Sequence, residues 1–135
     1  MDIGTGLGYS SAIISLIAEA VIAVEDDSNL ATEAEEILSD IGADNVVVQV
    51  SKLEDGAPEH GPYDVVILQG GIEEIPVSIL KQLKNGGRIG AIFVEKGLGT
   101  AKIGFKLNDK INWRYAFNAA APVLPGFFKQ KDFAL

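Results

Sequence analysis

Seven residues near the start of the chain, Asp2-Ile3-Gly4-Thr5-Gly6-Leu7-Gly8, constrain the fold most. An acid and an apolar residue end a strand there, and three glycines at alternate positions make a tight turn. Glycine is needed because the backbone must turn sharply and let a ligand approach, and a Cβ would block both. A helical run begins at Tyr9, and the free N–H groups at its start face whatever sits in the turn.

Two phosphate-binding motifs fail on inspection. The dinucleotide fingerprint needs a third glycine three residues after the second, and Tyr9 stands there. The P-loop needs a Lys followed by Ser or Thr after its last glycine, and no Lys follows. The remaining pattern, D-x-G-x-G-x-G, resembles the first motif of the S-adenosylmethionine-dependent methyltransferases. A strand-to-helix turn with no ligand is the alternative reading of the glycines alone.

The rest of the chain alternates strands and helices. Apolar residues from Tyr9 to Ala18 predict a helix over 9–19. Strands are expected near 21–25, 46–50, 64–69 and 88–94, and further helices near 29–41 and 76–84. Asp27 or Ser28 caps the second helix and Gly42 ends it. Pro76 suits the first turn of the third, and Asn85-Gly86-Gly87 stops it. Residues 99–121 read as an antiparallel hairpin turning at Asn108-Asp109, with Trp113, Tyr115 and Phe117 on one face. Phe127, Phe128 and Phe133 fall in an irregular tail. The expected fold class is α/β: a Rossmann-like, mostly parallel, doubly wound sheet with a C-terminal antiparallel hairpin, in a single domain over 1–135.

Composition narrows the function. A net charge of −8 disfavours a nucleic-acid or anionic-membrane partner. The chain has no cysteine, so it offers no thiolate metal site, and no metal is expected. No run of about 18 apolar residues exists, and the chain reads as soluble and cytoplasmic. Only three residues precede the glycines, so the chain is expected to be the C-terminal part of something longer. Shortening a central strand uncovers backbone in mid-sheet, and a homodimer through the truncated sheet follows as an expectation.

In doubly wound sheets ligands bind at the carboxyl ends of the strands, near the switch point. Glu25 ends the second strand, where an acid can accept from both ribose hydroxyls of an adenosine, or else stand as a solvated acid at a helix start. Asp2 holds the amine of a methionine moiety, or bonds the glycine turn. His60, the one histidine, lies in a Pro- and Gly-rich loop and reads as a surface residue.

Three stretches together resemble the protein-L-isoaspartate O-methyltransferases: the glycine turn with Tyr9, Pro58-Glu59-His60-Gly61-Pro62-Tyr63-Asp64, and Glu74-Ile75-Pro76 through Leu83-Lys84-Asn85-Gly86-Gly87-Arg88. The resemblance runs from residue 2 to about residue 95 and more loosely to Pro125. It implies S-adenosylmethionine as cofactor, isoaspartyl proteins or peptides as substrate, and a role in protein repair. It places Gly4, Gly6 and Gly8 under the methionine and ribose, Glu25 on the ribose, and Ser51 and Lys52 beside the adenine, with Thr5 of the same turn counted among the cofactor-binding residues. Asp2 and Gln69 complete the cofactor-binding set, and no catalytic residue is assigned. The family usually carries Gly-Asp-Gly after its third strand and a Thr-Ala-Ala-like run after its fourth; here stand Ser51-Lys52-Leu53 and Gln69-Gly70-Gly71. Its substrate-binding region lies before the glycine turn. A degenerate, inactive relative serving as a binding or structural module is the alternative.

Overall fold

The computed structural model describes residues 1–130; Phe133 lies outside them. In chain order the elements are β1 (Asp2–Ile3), α1 (Tyr9–Ser15), β2 (Val21–Glu25), α2 (Ser28–Asp40), β3 (Val46–Val50), two 3-10 turns (Leu53–Asp55 and Pro58–His60), β4 (Tyr63–Ile72), α3 (Val77–Lys81), β5 (Leu83–Glu95), β6 (Leu98–Leu107) and β7 (Lys110–Asn118). They build one seven-stranded sheet in the order β3-β2-β1-β4-β5-β6-β7. β1 to β5 are parallel, and β6 and β7 run antiparallel on the same sheet. The winding direction reverses between β1 and β4, which sets the switch point there.

Although only two residues long, β1 is paired on both sides, Asp2 with Ala23 and Ile67, and Ile3 with Val24 and Leu68. The Met1 carbonyl also accepts from Ile67 N–H at 2.9 Å. Ile3 points into the main core with Val24, Val66, Leu68, Ile79 and Ile89, on the face covered by α3. Asp2 points to the opposite face, where Ser10 and Ser11 of α1 reach it. On that second face the β4–β6 half is thinly covered, with Val65 46% and Ile103 44% exposed.

Local chemistry explains the elements that match expectation. The Asp27 side chain accepts from Asn29 N–H and Leu30 N–H and starts α2, whose Ala31, Ala34 and Leu38 form the buried face. Asn108 and Asp109 both adopt positive φ, 51° and 61°, as a two-residue hairpin turn requires.

Four expectations are corrected. α1 ends at Ser15, not near 19, because the Asn45 side-chain amide takes the Ser15 and Ala18 carbonyls at 2.9 and 3.1 Å and caps the segment from the loop before β3. Leu16 and Ile17 are consequently 84% and 88% exposed. α3 spans only Val77–Lys81 because Leu83 already pairs with Tyr63 as a strand residue. Asn85-Gly86-Gly87 therefore sits inside β5 as an irregular stretch, where a Cβ on Gly87 would meet Leu83 Cδ1 at 2.7 Å and the Lys84 carbonyl at 2.8 Å. Of the three alternating aromatics on β7, only Trp113 reaches the core. It packs edge-on to Phe93 at 4.7 Å, over Gly104, whereas Tyr115 is exposed on this last strand of the sheet, and the extra residue Ala116, at the register shift opposite Ala101/Lys102, turns the exposed Phe117 out of phase.

Phe127 is the fourth. It is fully buried in the main core with Ile3, Val24 and Leu53. Its carbonyl accepts from Glu73 N–H and Glu74 N–H, which carries the segment 121–127 back across the sheet. Tyr63 braces the neighbouring loop by donating to the Ala57 carbonyl, and burial, then the nearby Glu59 carboxylate, pushes its phenol up to about 12. Among the described residues no helix is long and apolar enough to cross a membrane.

Candidate functional site

The glycine turn carries positive φ at Gly4 (83°), Gly6 (58°) and Gly8 (89°), which explains glycine at all three. Their surroundings differ. A Cβ on Gly8 would stand 3.1 Å from Leu38 of α2, so this glycine lets helix and turn close up. A Cβ on Gly6 would meet nothing within 4 Å, so this part of the turn faces open space. Gly4 N–H and Thr5 N–H both donate to the Val24 carbonyl and tie the turn to β2. α1 has only seven residues, so the turn itself and not a long helix dipole defines this end.

Glu25 sits beside the turn, 5% exposed. Its Oε1 accepts from Gly6 N–H at 2.9 Å, and its Oε2 accepts from Asp26 N–H at 2.9 Å and Asp27 N–H at 3.0 Å. A carboxylate has roughly four acceptor positions. Three are used within the protein, and further acceptor capacity remains on Glu25.

Asp2 is fully buried. Its Oδ2 accepts from Ser10 Oγ and Ser11 Oγ, both at 2.6 Å, and its Oδ1 accepts from Gln69 Nε2 at 2.8 Å. Since Ser11 gives its proton to Asp2, Thr5 Oγ1 donates to Ser11 Oγ at 2.9 Å. Thr5 and Asp2 thus lie behind the turn as supports, and neither of the two roles foreseen for Asp2 matches its bonds. The sequence signal for the missed partners is two serines opening an otherwise apolar helix.

Ser51 N–H donates to the Glu25 carbonyl at 3.1 Å, and Ser51 Oγ donates to the Gly56 carbonyl at 2.6 Å. Its hydroxyl is therefore engaged within the loop, while Lys52 beside it is exposed. Gln69 is exposed on β4, just past the residues paired with β1 and within the irregular stretch between Ile67 and Gly71. Leu124, from the returning segment 121–127, lies over this point: its N–H donates to the Gly71 carbonyl at 2.8 Å, and its Cδ2 would be 2.6 Å from a Cβ on Gly70 and 3.6 Å from one on Gly4. That contact was invisible in the sequence because it joins residues more than fifty positions apart. His60 is exposed on its 3-10 turn, apart from these groups. Among the described residues no group of three or more His, Asp or Glu could hold a metal.

The sheet order, the switch point at β1/β4 and the glycine turn over it define the Rossmann-like fold of the S-adenosylmethionine-dependent methyltransferases. The family model for protein-L-isoaspartate(D-aspartate) O-methyltransferase matches residues 1–113. A protein-L-isoaspartate O-methyltransferase of Brucella anthropi is 43% identical over 89 residues, covering 66% of this chain and 41% of the relative. A protein-L-isoaspartate O-methyltransferase 2 of a Polaromonas species is 35% identical over 102 residues, covering 73% and 48%. A solved protein-L-isoaspartate O-methyltransferase superposes with a TM-score of 0.86 at 28% identity, over 93% of this chain and 41% of that one. A putative one from Plasmodium falciparum, in complex with S-adenosyl-L-homocysteine, shares the fold at a TM-score of 0.75 and 22% identity, over 91% and 63%. The chain belongs to the protein-L-isoaspartate O-methyltransferase family. It spans less than half the length of those two curated relatives.

Proposed function

We propose that residues 1–135 act as one S-adenosylmethionine-binding domain of a protein-L-isoaspartate O-methyltransferase, working on isoaspartyl carboxylates in damaged proteins of the cytoplasm. The observation that carries this reading is the Glu25 carboxylate bonded to Gly6 N–H, at the open part of a positive-φ glycine turn. A pre-oriented acceptor beside backbone that a ligand can approach is the chemistry an adenosine ribose needs. Glu25 would take a ribose hydroxyl. Gly4, Gly6 and Gly8 would lie beneath the ligand, with Asp2 and Thr5 bracing them from behind. Ser51 and Lys52, just after β3, would border the adenine, and Gln69, on β4 beside the end of β1, the opposite end.

S-adenosylmethionine supplies a methyl group already activated on a sulfonium. What the protein must add is alignment, and the lack of a candidate acid or base does not argue against the reaction. Gly70 and Gly71 are covered by the segment 121–124, so the β6–β7 hairpin with that segment would supply part of a wall for the acceptor peptide. The acidic chain favours no nucleic-acid partner. The thinly covered sheet face with Val65 and Ile103, more than the doubly paired β1, is the surface through which a homodimer would form.

One observation favours a second reading, a relative that binds but does not catalyse. The Ser51 hydroxyl is held by Gly56 and Lys52 replaces the family's acid, so the adenine side has lost an acceptor. Both readings give one expectation for this chain alone. The resemblance places the acceptor-holding segments upstream of the glycine turn, so the alignment gain of about 7–11 kcal/mol is mostly missing. Methyl incorporation into an isoaspartyl peptide should be negligible with the 135-residue chain and should appear in a version extended upstream of Met1. Clear turnover by the short chain would show those segments to be dispensable. No turnover by the extended one would leave the non-catalytic reading.

A further inference from the structure

The amino-acid end of the cofactor is a zwitterion whose ammonium needs an acceptor, and the nearest carboxylate, Asp2, cannot receive it. Asp2 is fully buried and already accepts from Ser10, Ser11 and Gln69. Gln69 is a different case. It is exposed, and it replaces the Thr-Ala-Ala-like run that the family usually carries at this strand end. A carboxylate that accepts from two hydroxyls can only accept, so the Gln69 amide must turn its N–H toward Asp2. The Gln69 carbonyl oxygen Oε1 is thereby fixed on the other branch of the amide, and it has no partner among the described residues.

The strand order says which end of the ligand this oxygen serves. With the order β3-β2-β1-β4, a ligand laid across the strand ends with its ribose at Glu25 on β2 has its adenine toward β3 and its amino-acid end toward β1 and β4. Gln69 directly follows Leu68, the last β4 residue paired with β1, and so stands beside the end of β1. We infer that Gln69, oriented by Asp2, is a specificity-determining residue whose Oε1 accepts a hydrogen bond from the cofactor's ammonium group, so that an internal carboxylate acts on the ligand through a neutral amide. Asp2 is then a positioning residue, and the three-donor network behind it sets the direction of an acceptor at the surface. The inference rests on the cofactor site proposed above.

The test uses two ligands that share the adenosine and thioether but differ at the amino-acid end. S-adenosylhomocysteine has the ammonium, and methylthioadenosine lacks the whole amino-acid end. Calorimetric titrations of both into the 135-residue chain, into Gln69→Leu and into Gln69→Ala separate the outcomes, with a melting curve for each variant to compare folded fractions. The inference expects both substitutions to weaken S-adenosylhomocysteine roughly tenfold or more, the size of a hydrogen bond to a charged group, with methylthioadenosine unchanged. An equal loss for both ligands would show that Gln69 only braces the turn, and would overturn the inference. So would no loss for either. If the unsubstituted chain binds neither ligand, the cofactor site itself fails and this inference goes with it.

Discussion

Replacing Phe127 by Ala is expected to remove about 3–5 kcal/mol of stability, the usual cost of deleting a buried aromatic side chain together with the cavity it leaves. Phe127 is fully buried among Ile3, Val24 and Leu53, beneath the end of the sheet where the glycine turn sits. Domains of this size have about 5–15 kcal/mol in total, so the variant should lie near the edge of folding and melt on the order of 10–20 °C lower. Its neighbour Phe128 is 61% exposed and provides the control, since Phe128→Ala should change stability by no more than about 0.5 kcal/mol. Urea unfolding of both variants measures the difference. A loss below about 1 kcal/mol for Phe127→Ala would mean that the segment 121–127 is not anchored as described, and the placement of Leu124 over Gly70 would fall with it.

Glu25→Ala is expected to act on two properties at once. It strips one charge-assisted hydrogen bond from the bound ribose, a loss of roughly 1.5–3 kcal/mol, or about 10- to 150-fold in affinity. It also leaves Gly6 N–H, Asp26 N–H and Asp27 N–H without their acceptor, at about 1–3 kcal/mol for each group that stays buried and unpaired. Glu25→Gln separates the two poorly, because one branch of the amide would point N–H groups at backbone N–H groups. The affinity comparison therefore belongs at a temperature where the melting curves show wild type and Glu25→Ala both folded. An unchanged dissociation constant for S-adenosylhomocysteine would make Glu25 a loop-holding acid and nothing more.

What could be read from the sequence was what short-range chemistry decides. The runs Val21–Glu25 and Val46–Val50 are strands at the expected bounds, and of the two expected caps for α2, Asp27 and Ser28, Asp27 serves. The hairpin turn at Asn108-Asp109 follows from the two residues most tolerant of positive φ after glycine. Misreadings arose where a distant group decides the local outcome. Asn45 ends α1 from thirty residues away, Tyr63 draws Leu83 out of α3, and an extra residue in β7, Ala116, puts Phe117 out of phase with Trp113. The candidate site divides the same way. Its glycines and its acid were legible because a positive-φ turn and a strand-end carboxylate are local demands. The orientation of Gln69 by Asp2 was not, since the two residues are 67 positions apart and meet only because β1 pairs with β4.

The glycine turn with Glu25 is proposed to bind an S-adenosyl compound. Titrating S-adenosylhomocysteine into the unmodified 135-residue chain, with NADH as the comparison, tests it most directly. Saturable binding of S-adenosylhomocysteine with none for NADH is the expected result, in keeping with Tyr9 where a dinucleotide site needs glycine. Saturable binding of NADH in its place, or no binding of S-adenosylhomocysteine at millimolar concentration by a chain shown to be folded, would contradict it.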